Sequence, residues 1–331
     1  MAMQLTSARC NELLEQAKSK RIAVIGDAML DVYLTGDVER ISPEAPVPVV
    51  RVRERRYALG GAANVAQNVV AIGAVSELVC AVGSDQAGQA LRQMLQTIGE
   101  DGTSLLTVDR PTTQKTRVVA RSQQLVRVDE EDDADLPAHD VARLLARVRD
   151  AVGRADALVL EDYNKGVLLP LVIREAIDLA KARGIPVVVD PKFRNFFAFH
   201  GATIIKPNRR ELEAALGATL DVDAPEVIPD LLQRLGAEHL LLTLGERGMV
   251  LFSAHGELAR IQTVARAVYD VVGAGDTVTA YLATVLAAGG TPTEAASIAN
   301  IAAGIEVGKL GAATVTAAEI AEYVTTHGLL A

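Results

Sequence analysis

The run Asp270-Val271-Val272-Gly273-Ala274-Gly275-Asp276-Thr277 sets two glycines and two carboxylates at the start of an apolar stretch of small residues. Glycines let the backbone turn tightly and gather successive N–H groups, and a following helix adds partial positive charge at its N-terminus. Gly273, Ala274 and Gly275 would thus cradle a transferring phosphoryl group. Asp276 in the same turn repels an anion, so anion binding alone does not explain it. A carboxylate there suits a hydroxyl that attacks phosphorus, which it can orient and whose proton it can accept. The plainer alternative is an acidic residue that complements the helix dipole.

Asn208 and Glu211 lie three apart, on one face of a helix's first turn. They could hold the waters of Mg²⁺, or simply form a capping box. Gly60-Gly61-Ala62-Ala63-Asn64 lets a helix approach a ligand closely, with Asn64 bonding a sugar hydroxyl; close helix–sheet packing would need the same small residues. Asp27, Asp162 and Asp190 each follow a strand pattern, where open α/β sheets bind ligands, although each could instead cap a helix. Lys115, Arg117, Arg121, Lys165 and Lys192 fall in a suspected β-rich lid or just beyond strand ends and suggest a second anion, against the alternative of a solvated face. Gly304 to Lys309 lacks one spacer of a phosphate-binding loop and has Leu310 for its Ser or Thr. Val278 replaces the third glycine of a dinucleotide fingerprint.

Positioning these groups requires alternating strands and helices, the pattern of an α/β fold with a mostly parallel sheet. Strands are expected at 22–25, 77–82, 157–160, 186–189, 203–205 and 239–244. Helices are expected at 7–18, 60–72, 86–98, 139–152, 171–183, 208–216, 275–288, 293–307 and 317–326. Two stretches, about 31–57 and 111–129, carry strand patterns with no helix between them. They read as a small β-sheet lid on one domain covering 1–331.

The 331 residues are half hydrophobic, with no Trp and a net charge of −9, so the core must be aliphatic. Acidity and few aromatics argue against nucleic-acid binding. Cys10 and Cys80 cannot make a disulfide framework, and no apolar run approaches a membrane span, so the expectation is a cytoplasmic protein.

Together these residues resemble the PfkB/ribokinase family of carbohydrate kinases over almost the whole chain. The segments 60–64 and 270–276 are similar to its two signatures, in order and separation. The run Arg40-Ile41-Ser42-Pro43-Glu44-Ala45-Pro46-Val47-Pro48, with 60–66, 111–117 and 307–311, resembles the bacterial D-glycero-D-manno-heptose 7-phosphate kinases. The resemblance implies a ribokinase-like three-layer α/β/α sandwich with a small β-sheet lid. It also implies ATP-dependent phosphorylation of the anomeric hydroxyl of heptose 7-phosphate, toward ADP-heptose and lipopolysaccharide. Asp276 would be the base and 273–275 the anion hole. Asn208 and Glu211 would serve the Mg²⁺–phosphate site, and Gly245 and Asn300 would lie along the nucleotide. Asp31, Gly60, Gly61 and Asn64 would hold sugar hydroxyls, with Lys115, Arg117, Lys165, Asp190 and Lys192 around the substrate. Asp270 and the Val272 backbone, with the Gly311 region, match a monovalent-cation (K⁺) loop. The family often has Thr where this chain has Val271 or Val272, which leaves K⁺ dependence open. A homodimer through the lid sheet is implied, and a chain stopping at Ala331 implies a separate adenylyltransferase acting downstream. The rival readings are another sugar kinase of the family, or a non-catalytic sensor on its scaffold.

Overall fold

The computed structural model describes residues 5–100, 102–120, 123–222, 228–265, 268–309 and 313–327. Short apolar strands build an eight-stranded sheet in the order β14-β13-β12-β11-β10-β9-β1-β4. Its parallel part comprises β4 (Val75–Val79), β1 (Arg21–Gly26), β9 (Ala157–Glu161), β10 (Val187–Asp190), β11 (Ile204–Ile205) and β12 (His239–Thr243). Strand β1 shows why these strands are apolar throughout. Ile22 and Val24 belong to one core cluster and Ala23 and Ile25 to the other, so alternate side chains enter opposite layers.

The first layer contains α1 (Ser7–Ala17), α2 (Ala62–Ile72), α3 (Gln86–Thr97), α8 (Ala274–Ala287), α9 (Pro292–Glu306) and α10 (Ala317–His327). The second contains α4 (Ala138–Arg154), α5 (Pro170–Arg183), α6 (Arg209–Leu216) and α7 (Ile228–Leu235). The expected sandwich is the one observed.

A separate four-stranded sheet, β3-β2-β7-β8, joins β2 (Ala28–Ile41), β3 (Pro48–Gly61), β7 (Gln114–Ala120) and β8 (Gln123–Glu130). It is built from the two stretches that lacked helices. Strands β2 and β7 pair in parallel and the other two pairings are antiparallel.

Four local expectations differ from the structure. Gly60 and Gly61 end β3 instead of opening the helix, which begins at Ala62. Gly61 has φ +58, and a Cβ there would lie 2.4 Å from the Asp27 carbonyl oxygen, so the chain can turn from strand to helix only with glycine. The strand expected at 77–82 divides at Cys80: β5 (Ala81–Val82) leaves the main sheet to pair with β6 (Leu106–Thr107). Strands β13 (Met249–Ser253) and β14 (Gly256–Ile261) extend the main sheet antiparallel, where no strand was expected. Helix α7 was likewise unforeseen.

Candidate active site

The carboxyl ends of β1, β9, β10 and β11 converge beneath the N-terminus of α8. Gly273, at φ +99, turns the chain into that helix and leaves Asp276 buried in its first turn. Asp276 accepts from Asn64 Nδ2 at 2.7 Å and from the Tyr163 hydroxyl at 2.9 Å. Asn64 is itself held by Asn68, whose Nδ2 donates to its backbone oxygen at 3.0 Å. The strand-to-helix turn at Gly61 thus delivers Asn64 to a carboxylate 212 residues away.

Helix-dipole reasoning lowers the pKa of Asp276, but the fold raises it to about 6. Burial is the largest cause. Asp190 adds to it, while the bonds from Asn64 and Tyr163 and the charge of Lys206 oppose it. The helix end therefore does not decide the protonation of this group.

A charged layer lies below. Among the described residues, Glu161, Asp190 and Asp276 each place a carboxylate oxygen within 4.8 Å of the others. Lys206, 3% exposed, donates to Asp190 at 2.7 Å. Burial would raise Asp190, but Lys206 and Lys192 hold it below the ordinary carboxylate range. Glu161 is fully buried and neither oxygen has a donor. Burial first, then the charges of Asp190 and Asp276, push its pKa well up and favour its protonated form. A Cβ on Gly275 would lie 3.5 Å from Lys206 Nζ, which sets the ammonium directly behind the glycine turn. Sequence reasoning assigned no role to Tyr163, Lys206 or Glu161. Only the position of each at a strand end hinted at one.

Beside the glycine turn is a cavity of about 600 Å³, lined among others by Asn208, Gly245, Val271, Gly275 and Asn300. It brings together the residues expected along a nucleotide. Asn300 also ties α9 to the end of β14, donating to the Gln262 carbonyl at 2.8 Å. Asn208 and Glu211 form the capping box: Glu211 N–H donates to Asn208 Oδ1 at 2.9 Å, and Asn208 N–H to Glu211 Oε2 at 2.8 Å. Lys192 bonds the other Glu211 oxygen. Each carboxylate oxygen keeps a second lone pair for a water, and Asn208 lines the cavity, so the pair fits a hydrated Mg²⁺.

Asp31 is 4% exposed and bonded by Arg117 at 2.5 Å. A Cβ on Gly60 would come within 2.8 Å of Asp31 Oδ2, so that glycine makes room for the carboxylate. Lys115 bridges Asp129 and Glu131, and Lys165 pairs with Glu131. Asp27 accepts the backbone N–H groups of Tyr163, Lys165 and Val167, fixing the loop after β9, and Asp162 accepts from Asn164 N–H at 2.7 Å. Asp270 Oδ1 accepts from Val272 N–H at 3.0 Å. Arg121 and Gly311 lie outside the described residues. Nearby Glu306 is fully buried, and its pKa rises to about 8, chiefly through burial and then through Asp270 and Asp276.

The fold resembles that of Arabidopsis thaliana ribokinase complexed with ribose and ATP, with a TM-score of 0.72 at 20% identity, covering 92% of this chain and 98% of that one. It also resembles Escherichia coli phosphofructokinase-2 in complex with potassium, with a TM-score of 0.74 at 18% identity, covering 93% and 99%. This architecture is that of an ATP-dependent carbohydrate kinase with a ribokinase-like fold. The model of the pfkB family of carbohydrate kinases matches residues 19–319, and the chain belongs to that family. Among curated relatives, the bifunctional protein HldE of Pelobacter propionicus is 46% identical over 93% of this chain and 64% of its own length. That of Caulobacter vibrioides is 46% identical over 91% of this chain and 62% of its own length. The chain thus spans a little under two thirds of these relatives. Among the described residues no helix is long and apolar enough to cross a membrane.

Proposed function

We propose that the chain transfers the γ-phosphoryl group of ATP to the anomeric hydroxyl of D-glycero-β-D-manno-heptose 7-phosphate. The product is the 1,7-bisphosphate, a cytoplasmic precursor of ADP-heptose and the lipopolysaccharide core. The observation that carries the reaction type is Asp276, buried in the turn where a phosphoryl acceptor would meet the glycine amides. The acceptor's identity rests on the run from Arg40 to Pro48 and on the HldE relatives.

The anomeric oxygen forms a bond to phosphorus as the bond from phosphorus to the ADP oxygen breaks, and the proton passes to Asp276. Tyr163 and Asn64 fix the plane of that carboxylate. The amides of 273–275, backed by Lys206, receive the charge that develops on the phosphoryl oxygens. Asn208 and Glu211 would hold the waters of Mg²⁺, which when bound neutralises phosphate charge. Asp270 and the Val272 carbonyl would line a K⁺ site. The small sheet acts as a lid that excludes water from the transfer. Its outer face carries Tyr57, Val126 and Val128, exposed by 41%, 50% and 50%, which suits a homodimer formed through that sheet.

Asp276→Asn should lower kcat on heptose 7-phosphate by roughly 10²–10⁴ while ATP still binds. Near-normal turnover of that variant removes the assignment of the base. Wild-type turnover of unphosphorylated pentoses, with none of heptose 7-phosphate, replaces the substrate. Binding of sugar and nucleotide without ADP formation favours a sensor.

A further inference from the structure

One cross-strand row of the small sheet has a composition that the transfer itself does not require. Pairing sets Tyr33 of β2 opposite Arg56 of β3 and Arg117 of β7, and Arg117 opposite Arg127 of β8. Three guanidinium groups thus line up across four strands, with one phenol among them. They share the sheet face that carries Asp31, two residues before Tyr33.

The row is not neutralised. Arg127 is held by both oxygens of Asp129, and Arg117 is paired with Asp31. Lys115 and Lys165, on the same side, share Glu131. Arg56 has no carboxylate partner among the described residues. It is half-buried over the Tyr33 ring, 4.5 Å from its centre, while Arg117 stands 5.3 Å from the same centre. Two like charges stand against one ring, and of the two only Arg117 has an ion pair among the described residues, so the Arg56 charge is left without a carboxylate bonded to it. The Tyr33 hydroxyl is buried and lacks any hydrogen-bond partner. A buried donor without an acceptor is costly, so the row presents both unspent charge and an unspent O–H.

The position of the row identifies the anion. Starting from Asp276, Tyr163 donates to it, and the Tyr163 ring would touch a Cβ on Gly61 at 3.4 Å. Gly60 abuts Asp31, and Tyr33 follows Asp31 on the same face. Two residues along a strand advance about 6.6–6.8 Å, so Tyr33 lies beyond Asp31 as seen from the base. The cavity of about 600 Å³ has no residue of the small sheet in its lining, so the row is not part of the nucleotide pocket. Tyr33 alternates along β2 with Val32, which pairs with Tyr57, so the row lies on the face opposite Tyr57 and not on the sheet's outer face.

We infer that Arg56, Tyr33 and Arg117 form the subsite for the substrate's second phosphate, a monoester at the end of the sugar away from the reacting hydroxyl. This rests on the sugar-phosphate kinase reading above. Arg56 can swing from the ring to the phosphate while keeping its charge, and the motion uncovers the Tyr33 hydroxyl to donate beside it. Arg117 stays on Asp31 and contributes field as well as one free edge of its guanidinium.

The test compares wild type, Arg56→Gln and Tyr33→Phe on heptose 7-phosphate and on the unphosphorylated heptose, with ATP varied separately. Arg56→Gln removes a charge-assisted hydrogen bond to the phosphate. The ratio of kcat/KM for the phosphorylated over the unphosphorylated sugar should therefore fall by about tenfold or more in that variant. Tyr33→Phe should lower the same ratio by about threefold to tenfold. An unchanged ratio, or a change in KM for ATP in its place, overturns the inference. A thermal-shift titration with inorganic phosphate reads the subsite without any sugar. Phosphate should raise the Tm of wild type more than that of Arg56→Gln, and equal shifts overturn the subsite. If wild type turns over no heptose 7-phosphate but this difference persists, the heptose assignment falls and the anion subsite stands.

Discussion

Asp276 illustrates how a fold changes the chemistry that a residue's immediate neighbours in sequence would give it. The first turn of a helix favours a charged carboxylate, yet burial and the nearby Asp190 leave its pKa at about 6. A base must be unprotonated, so kcat/KM should fall as pH drops through about 6 and level off above about 7, which a pH–rate profile will show. Tyr163→Phe removes a donor that favours the charged form, so the same acid limb should move to higher pH, by up to about one unit. A limb that stays in place would separate Tyr163 from the base.

Two junctions between elements hold these side chains in place. The turn from β3 to α2 requires positive φ at Gly61 and no atom between it and the Asp27 carbonyl. Gly61→Ala should therefore cost about 2–4 kcal/mol in urea unfolding, from backbone strain and the clash together, and should weaken activity by displacing Asn64. The ends of β10 and β11 are joined by Lys206 and Asp190. Lys206→Met leaves Asp190 with less compensation in a dry layer, and a loss of about 3–5 kcal/mol is expected by the same measurement. The parallel strands and most helices were legible because apolar runs and caps act locally. Strands β13 and β14 were not, and β2 was legible only as part of the stretch 31–57, without bounds of its own. β2 mixes Asp31, Gly36, Asp37, Glu39 and Arg40 into a strand paired on both sides, so no simple alternation survives. β13 and β14 turn back as a hairpin at the sheet edge, which breaks the strand–helix rhythm.

In the molecule as a unit, the small sheet divides its labour by face. The Asp31–Tyr33 face is charged and turned to the site, while the Tyr57–Val126–Val128 face is apolar and exposed. Val126→Asp with Val128→Asp should convert a dimer to a monomer in sedimentation equilibrium, because two carboxylates would have to be desolvated in the interface. A wild-type monomer at micromolar concentration would remove the lid-to-lid dimer. The net charge of −9 is compatible with phosphate ligands because Lys206, the glycine amides and the arginine row concentrate positive charge where phosphates are expected.

The layered α/β architecture, the glycine turn with Asp276, and the two stretches that leave the main sheet can all be read along the chain. Each is a local pattern of spacing or hydropathy within one segment. It took the packed fold to show that Tyr163 and Asn64 hold Asp276 and that Lys206 stands behind the glycine turn. The same holds for Lys115, Lys165 and Lys192, which already have carboxylate partners, and for Arg56, which has none among the described residues. Those relations join strand ends far apart in the chain. Which charges are compensated depends on burial and on neighbours in space, and spacing along the backbone does not encode that.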